Sequence, residues 1–451
     1  MILLKNCHYI ATFDENDAEF SGYDLLIDGN KVSEIAKDIE ASADCETIDC
    51  SNLVVIPGMV NTHHHFYQTL TRNLPGAQDA KLFDWLVYLY PIWARIDAEA
   101  VYYSSLLAMA ELMLTGATCS TDHHYLYPEG FDGDLMGLQF DAAEKLGMRF
   151  APTRGSMTRG KSSGGLPPDN VVQSVDKVLK DSERVIDRYH DDSDFSMKKI
   201  ILAPCSPFSV EENVMRETAK LARDKGVYLH THLAETADED EYCMTNHCKR
   251  PLALMHDWGW TGEDVFFAHG IFFNDMELDI LAKTGTGIAH CPSSNMRLGS
   301  GIARIMEMKE RSIRVGIAVD GSASNDTSDM IGEVRQALLL QRVKYGSSAL
   351  SARDVLQMAT AGGADLLGFK KIGMIKPGYA ADIAAFDISK IGHAGSLSDP
   401  LASLIFTGFD HRVSLNIVNG KIAVRDGKLV NIDEDWLVAE VNEVAGRVCS
   451  G

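Results

Sequence analysis

Between residues 54 and 320, short apolar β-type runs alternate with longer helical patterns, and eight such runs follow one another in series. They occupy residues 54–63, 118–123, 149–154, 200–205, 227–232, 265–269, 287–290 and 315–320. Helical patterns separate them, for example over 98–114, 171–189 and 212–225. Eight βα units in series predict an α/β fold, a (β/α)8 TIM-like barrel whose active site lies at the C-terminal ends of the strands. His, Asp, Cys and Arg stand at those ends.

The flanks read differently. Residues 1–57 and 374–451 show short strands with turn signals such as Asp28-Gly29-Asn30, Lys376-Pro377-Gly378, Asn419-Gly420-Lys421 and Asp426-Gly427-Lys428. The two ends are expected to pair into one small β-sandwich domain, leaving 58–373 to the barrel. Residues 351–369 read as an Ala-rich amphipathic helix leading out of the barrel. The Gly/Ser/Pro-rich stretch 160–168 reads as a loop over the site.

Composition narrows the partners. With 451 residues, 45% hydrophobic and 24% charged, the chain can bury a large core. Its 42 Lys and Arg against 64 Asp and Glu give a net charge of −22, which repels phosphate backbones and anionic membrane surfaces. Nucleic acid and membrane are therefore set aside as partners. Met1 is followed by too short an apolar stretch for a signal peptide, and no run approaches the roughly 20 apolar residues of a membrane span, so a cytoplasmic location is expected. The nine cysteines lack CxxC spacing and suggest neither a disulfide framework nor a zinc knuckle.

The strongest local signal is Asn61-Thr62-His63-His64-His65 at the end of the first run. Side chains alternate along a strand, so His63 and His65 share a face and aim two imidazoles at one cation. The fifth run ends His230-Thr231-His232-Leu233-Ala234-Glu235. His232 sits at the strand end, and Glu235 falls one short turn beyond, placed to exchange a proton without ligating a metal. Asp320 adds a carboxylate after the eighth run and His269 closes the sixth. Singly, each reads more readily as a hydrogen-bonded strand-end residue than as a functional one. Jointly, at the same end of several strands, they point to metal-assisted hydrolysis.

With these motifs, together with Pro57-Gly58-Met59, Ala268-His269, His290-Cys291-Pro292-Ser293-Ser294-Asn295 and Val319-Asp320-Gly321, the chain resembles the amidohydrolase superfamily over nearly its whole length. The resemblance implies that His63, His65, His232 and Asp320 hold one Zn2+, with Fe2+ or Mn2+ left open as alternatives. It also implies that Glu235 and His269 face the substrate. Two-metal members carry a carboxylated lysine at the end of strand four. That end here is Ala203-Pro204-Cys205-Ser206, and Lys198 and Lys199 lie too early, which favours a single ion. The implied mechanism makes hydroxide available at physiological pH. Asp320 takes a proton as hydroxide attacks an electrophilic ring carbon, Glu235 protonates the adjacent ring nitrogen, and His269 polarises the carbon or steadies the tetrahedral intermediate. Homo-oligomerisation is an expectation for a large barrel of this kind.

Within the superfamily the chain is similar to the aminohydrolases of purine, pyrimidine, pterin and triazine rings. A closer resemblance, to 8-oxoguanine deaminases, rests on the strings 60–72, 122–128, 203–209 and 321–326. It implies a small heterocyclic substrate, with 8-oxoguanine and water giving urate and ammonia. Other flat rings (isocytosine, guanine, a pterin, a hydroxytriazine) and a catalytically silent scaffold are the alternatives. Gln68, three residues after His65, stands where ring deaminases read the heterocycle, and its amide both donates and accepts. Trp93 replaces a glutamate of nucleoside-acting relatives and favours a free base. Cys205 and Ser206 stand where guanine deaminase resembles Arg-Phe, and Cys205 reads as a pocket wall. Trp85 and Trp93 read equally as core. Arg154 ends the third run either in the pocket or as a brace of the barrel, and His123 touches either the substrate or Tyr125.

Overall fold

A computed structural model of the protein describes residues 1–40, 42–131 and 133–450. Eight parallel strands form one sheet in strict sequence order: β1 (Met59–Asn61), β2 (Ala117–His124), β3 (Arg149–Ser156), β4 (Ile201–Pro204), β5 (Tyr228–Leu233), β6 (Val265–His269), β7 (Gly287–His290) and β8 (Val315–Ile317). The sheet closes on itself. Thr62 donates from both its backbone N–H and its Oγ1 to the carbonyl of Ile317, at 3.1 and 3.0 Å. Asn61 spans the seam: its Oδ1 accepts from Val319 N at 2.9 Å and its Nδ2 donates to Ser120 Oγ at 3.0 Å.

The helices between strands bury one stripe each. In Val175–Tyr189 the buried residues Val178, Ser182, Val185 and Ile186 recur at helical spacing, and Ser174 caps the first turn through Lys177 N. Glu212–Lys225 buries Val214, Met215, Thr218, Ala219 and Ala222 and stops at Gly226, whose φ of +70° is the left-handed value a helix end favours. Residues 352–366 are helical, capped by Ser351, with a widened turn over Met358–Gly362.

The chain ends build a β-sandwich. One sheet has the order Lys31–Ala36, Tyr23–Asp28, Ile2–Cys7, Glu46–Asp49; the other pairs Leu53–Pro57 with Ile383–Asp387 and continues through Leu415–Val418 and Lys421–Arg425. Leu4, Leu25, Ile27, Val55, Ile383 and Ile417 fill the space between them. The first predicted run therefore divides at Gly58, its early part entering the sandwich and its late part the barrel.

The final segment departs from the strand pattern expected of it. Glu434–Ser450 is a helix whose buried Leu437, Val441, Val444 and Val448 follow a helical period, and it packs on the barrel helix Ala98–Leu114. Arg95 reaches Val448 O at 3.1 Å, and Arg447 pairs with Glu99 at 2.6 Å. Among the described residues no helix is long and apolar enough to cross a membrane.

A buried ion pair joins sandwich to barrel. Arg149 on β3 meets Asp382 in a fork, Nε to Oδ2 at 2.9 Å and Nη2 to Oδ1 at 3.1 Å, and both side chains are almost fully buried. Asp382 Oδ1 also accepts from Asn419 N at 2.6 Å. Replacing Asp382 by Ala leaves the guanidinium buried and unpaired, so unfolding in urea should show a loss of about 3–5 kcal/mol.

Candidate metal centre and active site

Three imidazoles and a carboxylate converge at the C-terminal end of the barrel. His65 Nε2 lies 3.1 Å from His232 Nε2 and 3.4 Å from Asp320 Oδ1, while His63 Nε2 lies 3.3 Å from the same oxygen. Backbone carbonyls fix the tautomers. His65 Nδ1 donates to His123 O at 2.8 Å and His232 Nδ1 donates to Cys205 O at 2.6 Å. His63 Nδ1 donates to His230 Nε2 at 2.7 Å, because the Nδ1 of His230 is itself committed to Phe266 O at 3.0 Å. All three Nε2 atoms are thus left as lone pairs. Burial pushes the pKa of His63, His65 and His232 below the ordinary imidazole value, which keeps them neutral.

Lone pairs at such separations repel unless a cation lies among them. His63 Nε2 is buried without a hydrogen-bond partner. A tetrahedral ion with bonds of about 2.0–2.1 Å requires ligand separations of about 3.3–3.4 Å, close to those seen here. The donor set fits a divalent metal, and partners behind each ligating imidazole are the usual means of holding such a site.

Glu235 and His269 sit beside this cluster. His269 Nε2 lies 3.6 Å from Glu235 Oε2 and 4.0 Å from Asp320 Oδ2, and its Nδ1 bonds Asn295 Oδ1 at 2.9 Å. Burial raises the pKa of Glu235 above the usual carboxylate range, against the nearby imidazole of His269. Burial alone would lower His269, but the carboxylates of Glu235 and Asp320 and the bond to Asn295 raise it. Both shifts favour a proton held by the pair. Three backbone turns deliver these groups: Ala234, His269 and Asp320 all adopt left-handed φ, of +55°, +72° and +63°. Non-glycine residues pay strain there, a pattern common at active sites.

A small cavity of about 40 Å³ opens above the cluster. Gln68, Cys205, Ser206, Glu235, His269 and Asp320 all line it. Gln68 Oε1 accepts from Ala323 N at 3.3 Å, and Gly321 makes room for the amide, since a Cβ there would lie 1.9 Å from that oxygen. Ser206 Oγ is paired with Ser209 Oγ at 2.6 Å. Burial pushes the Cys205 thiol up to about 12, so it is a neutral wall. Trp85 also lines the cavity, with its indole N–H on Ala323 O at 3.3 Å.

Three expected substrate contacts lie elsewhere. Trp93 is buried behind Trp85, edge to face at 5.3 Å, and its Nε1 donates to Thr71 Oγ1 at 3.1 Å. Arg154 points out of the barrel because neighbouring side chains on a strand alternate: it pairs with Asp181 at 2.7 Å and Gln173 at 2.8 Å and covers the Tyr127 ring. His123 lies beneath the metal ligands, stacked on His232 at 4.7 Å, with Nε2 donating to Ala203 O at 2.9 Å. The stretch 160–168 folds on itself, Lys161 N donating to Pro167 O, and contributes nothing to the cavity lining.

Sequence reasoning overlooked Glu239. One helical turn after Glu235, it accepts from Glu235 N at 3.2 Å and so braces the left-handed turn at Ala234; burial raises its carboxyl to about 8. Its position four residues beyond Glu235, in the first turn of Ala237–His247, was the available signal.

The sequence pattern of the amidohydrolase family matches residues 54–423. The chain belongs to this family. It is 43% identical to an 8-oxoguanine deaminase of Pseudomonas aeruginosa over 443 residues, covering 98% of each chain. It is 35% identical to a hydroxydechloroatrazine ethylaminohydrolase of Pseudomonas sp., covering 100% of this chain and 96% of the relative. The crystal structure of an atrazine chlorohydrolase of Arthrobacter aurescens TC1, complexed with zinc, superimposes with a TM-score of 0.94 at 32% identity, covering 99% of this chain and 100% of the other. The protein is accordingly a hydrolase of carbon–nitrogen bonds with a metal cofactor.

The relay through His230 gives a direct test. In His230→Phe the acceptor that holds His63 in its metal-binding tautomer is gone, and competition with a chelator should show metal affinity reduced about 10–100-fold with the fold intact by circular dichroism.

Proposed function

We propose that the protein is a zinc-dependent deaminase of a free heterocyclic base, converting 8-oxoguanine and water to urate and ammonia. The observation that carries this reading is the single cavity in which the donor cluster, the Glu235–His269 pair and the oriented amide of Gln68 face one another. The 43%-identical relative, an 8-oxoguanine deaminase matched end to end, supports the choice of ring. One ion is favoured because β4 ends in Ala203-Pro204-Cys205, while Lys199 pairs with Asp192 at 2.5 Å at the start of that strand.

His63, His65, His232 and Asp320 would hold the ion, which when bound supplies Lewis acidity and hydroxide near neutral pH. Glu235, whose pKa burial raises, donates in its acid form to the ring nitrogen beside the amino-bearing carbon. Asp320 accepts the proton released as water adds to that carbon. His269, held by Asn295 with Nε2 toward both carboxylates, steadies the oxygen of the tetrahedral carbon. The carbon–nitrogen bond then breaks, ammonia leaves with the relayed proton, and a ring carbonyl remains.

Ammonia release from zinc-loaded protein offered 8-oxoguanine, guanine, isocytosine, isoxanthopterin and a hydroxytriazine should be fastest with 8-oxoguanine. A faster rate on another ring would reassign the substrate, and silence toward all five at full metal occupancy would overturn the deaminase reading. Glu235→Gln should lower kcat by about 10²–10⁴-fold while metal content stays unchanged. Because the acid form of Glu235 is the active one and its pKa is raised, activity persists below that pKa and falls as pH rises through it. The variant should lose this alkaline limb, as a pH profile of kcat/KM would show.

A further inference from the structure

The cavity wall built from the ends of β1, β2 and β4 and from the helix Leu82–Trp93 carries three tyrosines to which the catalytic scheme assigns no part. Tyr90 and Tyr125 line the cavity beside Cys205, and Tyr67 stands directly behind them. The rings of Tyr67 and Tyr125 meet edge to face at 5.9 Å, and Tyr125 packs at 5.3 Å from the ligand His65. The hydroxyl of Tyr125 neighbours those of both Tyr67 and Tyr90. Tyr67 Oη is nevertheless buried without a hydrogen bond of good geometry. An unsatisfied buried hydroxyl is costly, and one that stands behind two cavity-lining hydroxyls signals a polar group that completes the set when bound.

The polarity of this wall is one-sided. Gln68 spends its Oε1 on Ala323 N, so its Nε2 is the group offered to the cavity. Asp320, the charged acceptor of the cavity, and Glu235 come from the far side, beyond the ends of β8 and β5.

We propose that Tyr67, Tyr90 and Tyr125 form a hydroxyl relay that receives a carbonyl oxygen of the heterocycle and thereby selects oxo-rings and orients them with the opposite edge toward Glu235. Tyr67 donates to Tyr125, and Tyr125 and Tyr90 donate to the ring oxygen. Chained hydroxyls polarise one another, so loss of the rear member weakens the front ones. The inference rests on the ring-deaminase reading for the identity of the ligand, and its test does not depend on turnover.

Calorimetric titration of the zinc-loaded protein with xanthine and with purine compares flat rings that differ in carbonyl oxygens and carry no amino group to release. The wild type should bind xanthine at least about tenfold more tightly than purine, and Tyr90→Phe and Tyr125→Phe should each remove about tenfold of that affinity while changing purine binding less than about twofold. Tyr67→Phe, which deletes only the orphaned hydroxyl, should weaken xanthine binding in the same sense with Tm and metal content unchanged. Equal affinity of the wild type for the two rings would overturn the proposal. So would variants that lose both rings alike or neither. Failure of the deaminase reading shows separately, as absence of ammonia from amino-bearing rings, whatever these affinities are.

Discussion

The site depends on the commitment of three imidazole Nδ1 protons to acceptors that the barrel itself supplies. His65 spends its proton on a carbonyl of β2, His232 on one just after β4, and His63 on His230, which is turned in its role by a carbonyl of β6. Were any one proton moved to Nε2, an N–H would point into the cluster where a lone pair is needed. Two of the acceptors are backbone carbonyls and the third is the His230 side chain, itself held by a carbonyl, so the electronic state of the three imidazoles follows from strand register. His232 pairs with Ala268 and His123 with Thr153, and a slip of one residue would turn each of these side chains to the opposite face.

The surrounding structure resists such a slip. Asn61 and Thr62 close the barrel next to the His63 and His65 pair, so the seam and the ligands share one segment. The turns after β5 and β6 are tied together: Ala234 O accepts from Ile271 N at 2.8 Å and Phe272 N at 3.1 Å. Arg250 fastens the same loop through Phe272 O at 2.6 Å and Glu277 at 2.9 Å. These bonds hold the left-handed turns that aim Glu235 and His269, strain that an isolated loop would release. At the other end of the barrel, Arg149 and Asp382 couple the sandwich to β3.

The clustering of the candidate metal and acid–base residues was legible because strand alternation and strand-end position are local properties. His63, His65, His232, Glu235, His269 and Asp320 are brought together in one place, and Gln68, Cys205 and Ser206 line the adjoining cavity. Trp93, Arg154 and His123 show where the same reasoning fails. Arg154 stands at a strand end, yet its neighbour in the outward direction, Asp181 on Val175–Tyr189, decides where the guanidinium goes. His123 is at the right height but lies under the ligands. Trp93 belongs to an aromatic stack in which Trp85 and Tyr90 reach the cavity but Trp93 does not. The helix Glu434–Ser450 was hidden by the turn signals that precede it, although its buried valines keep a helical period.

By itself the sequence determined the barrel and the sandwich at the chain ends and put forward the candidate ligating and proton-carrying residues, because each follows from periodicity or from spacing within one strand. Only the tertiary structure decided the tautomers of the histidines, the raised pKa of Glu235 and the one-sided polarity of the cavity wall. Those properties arise between residues far apart in the chain. His63 and His230 are 167 positions apart and Gln68 and Ala323 are 255 apart, so no local pattern encodes which donor meets which acceptor.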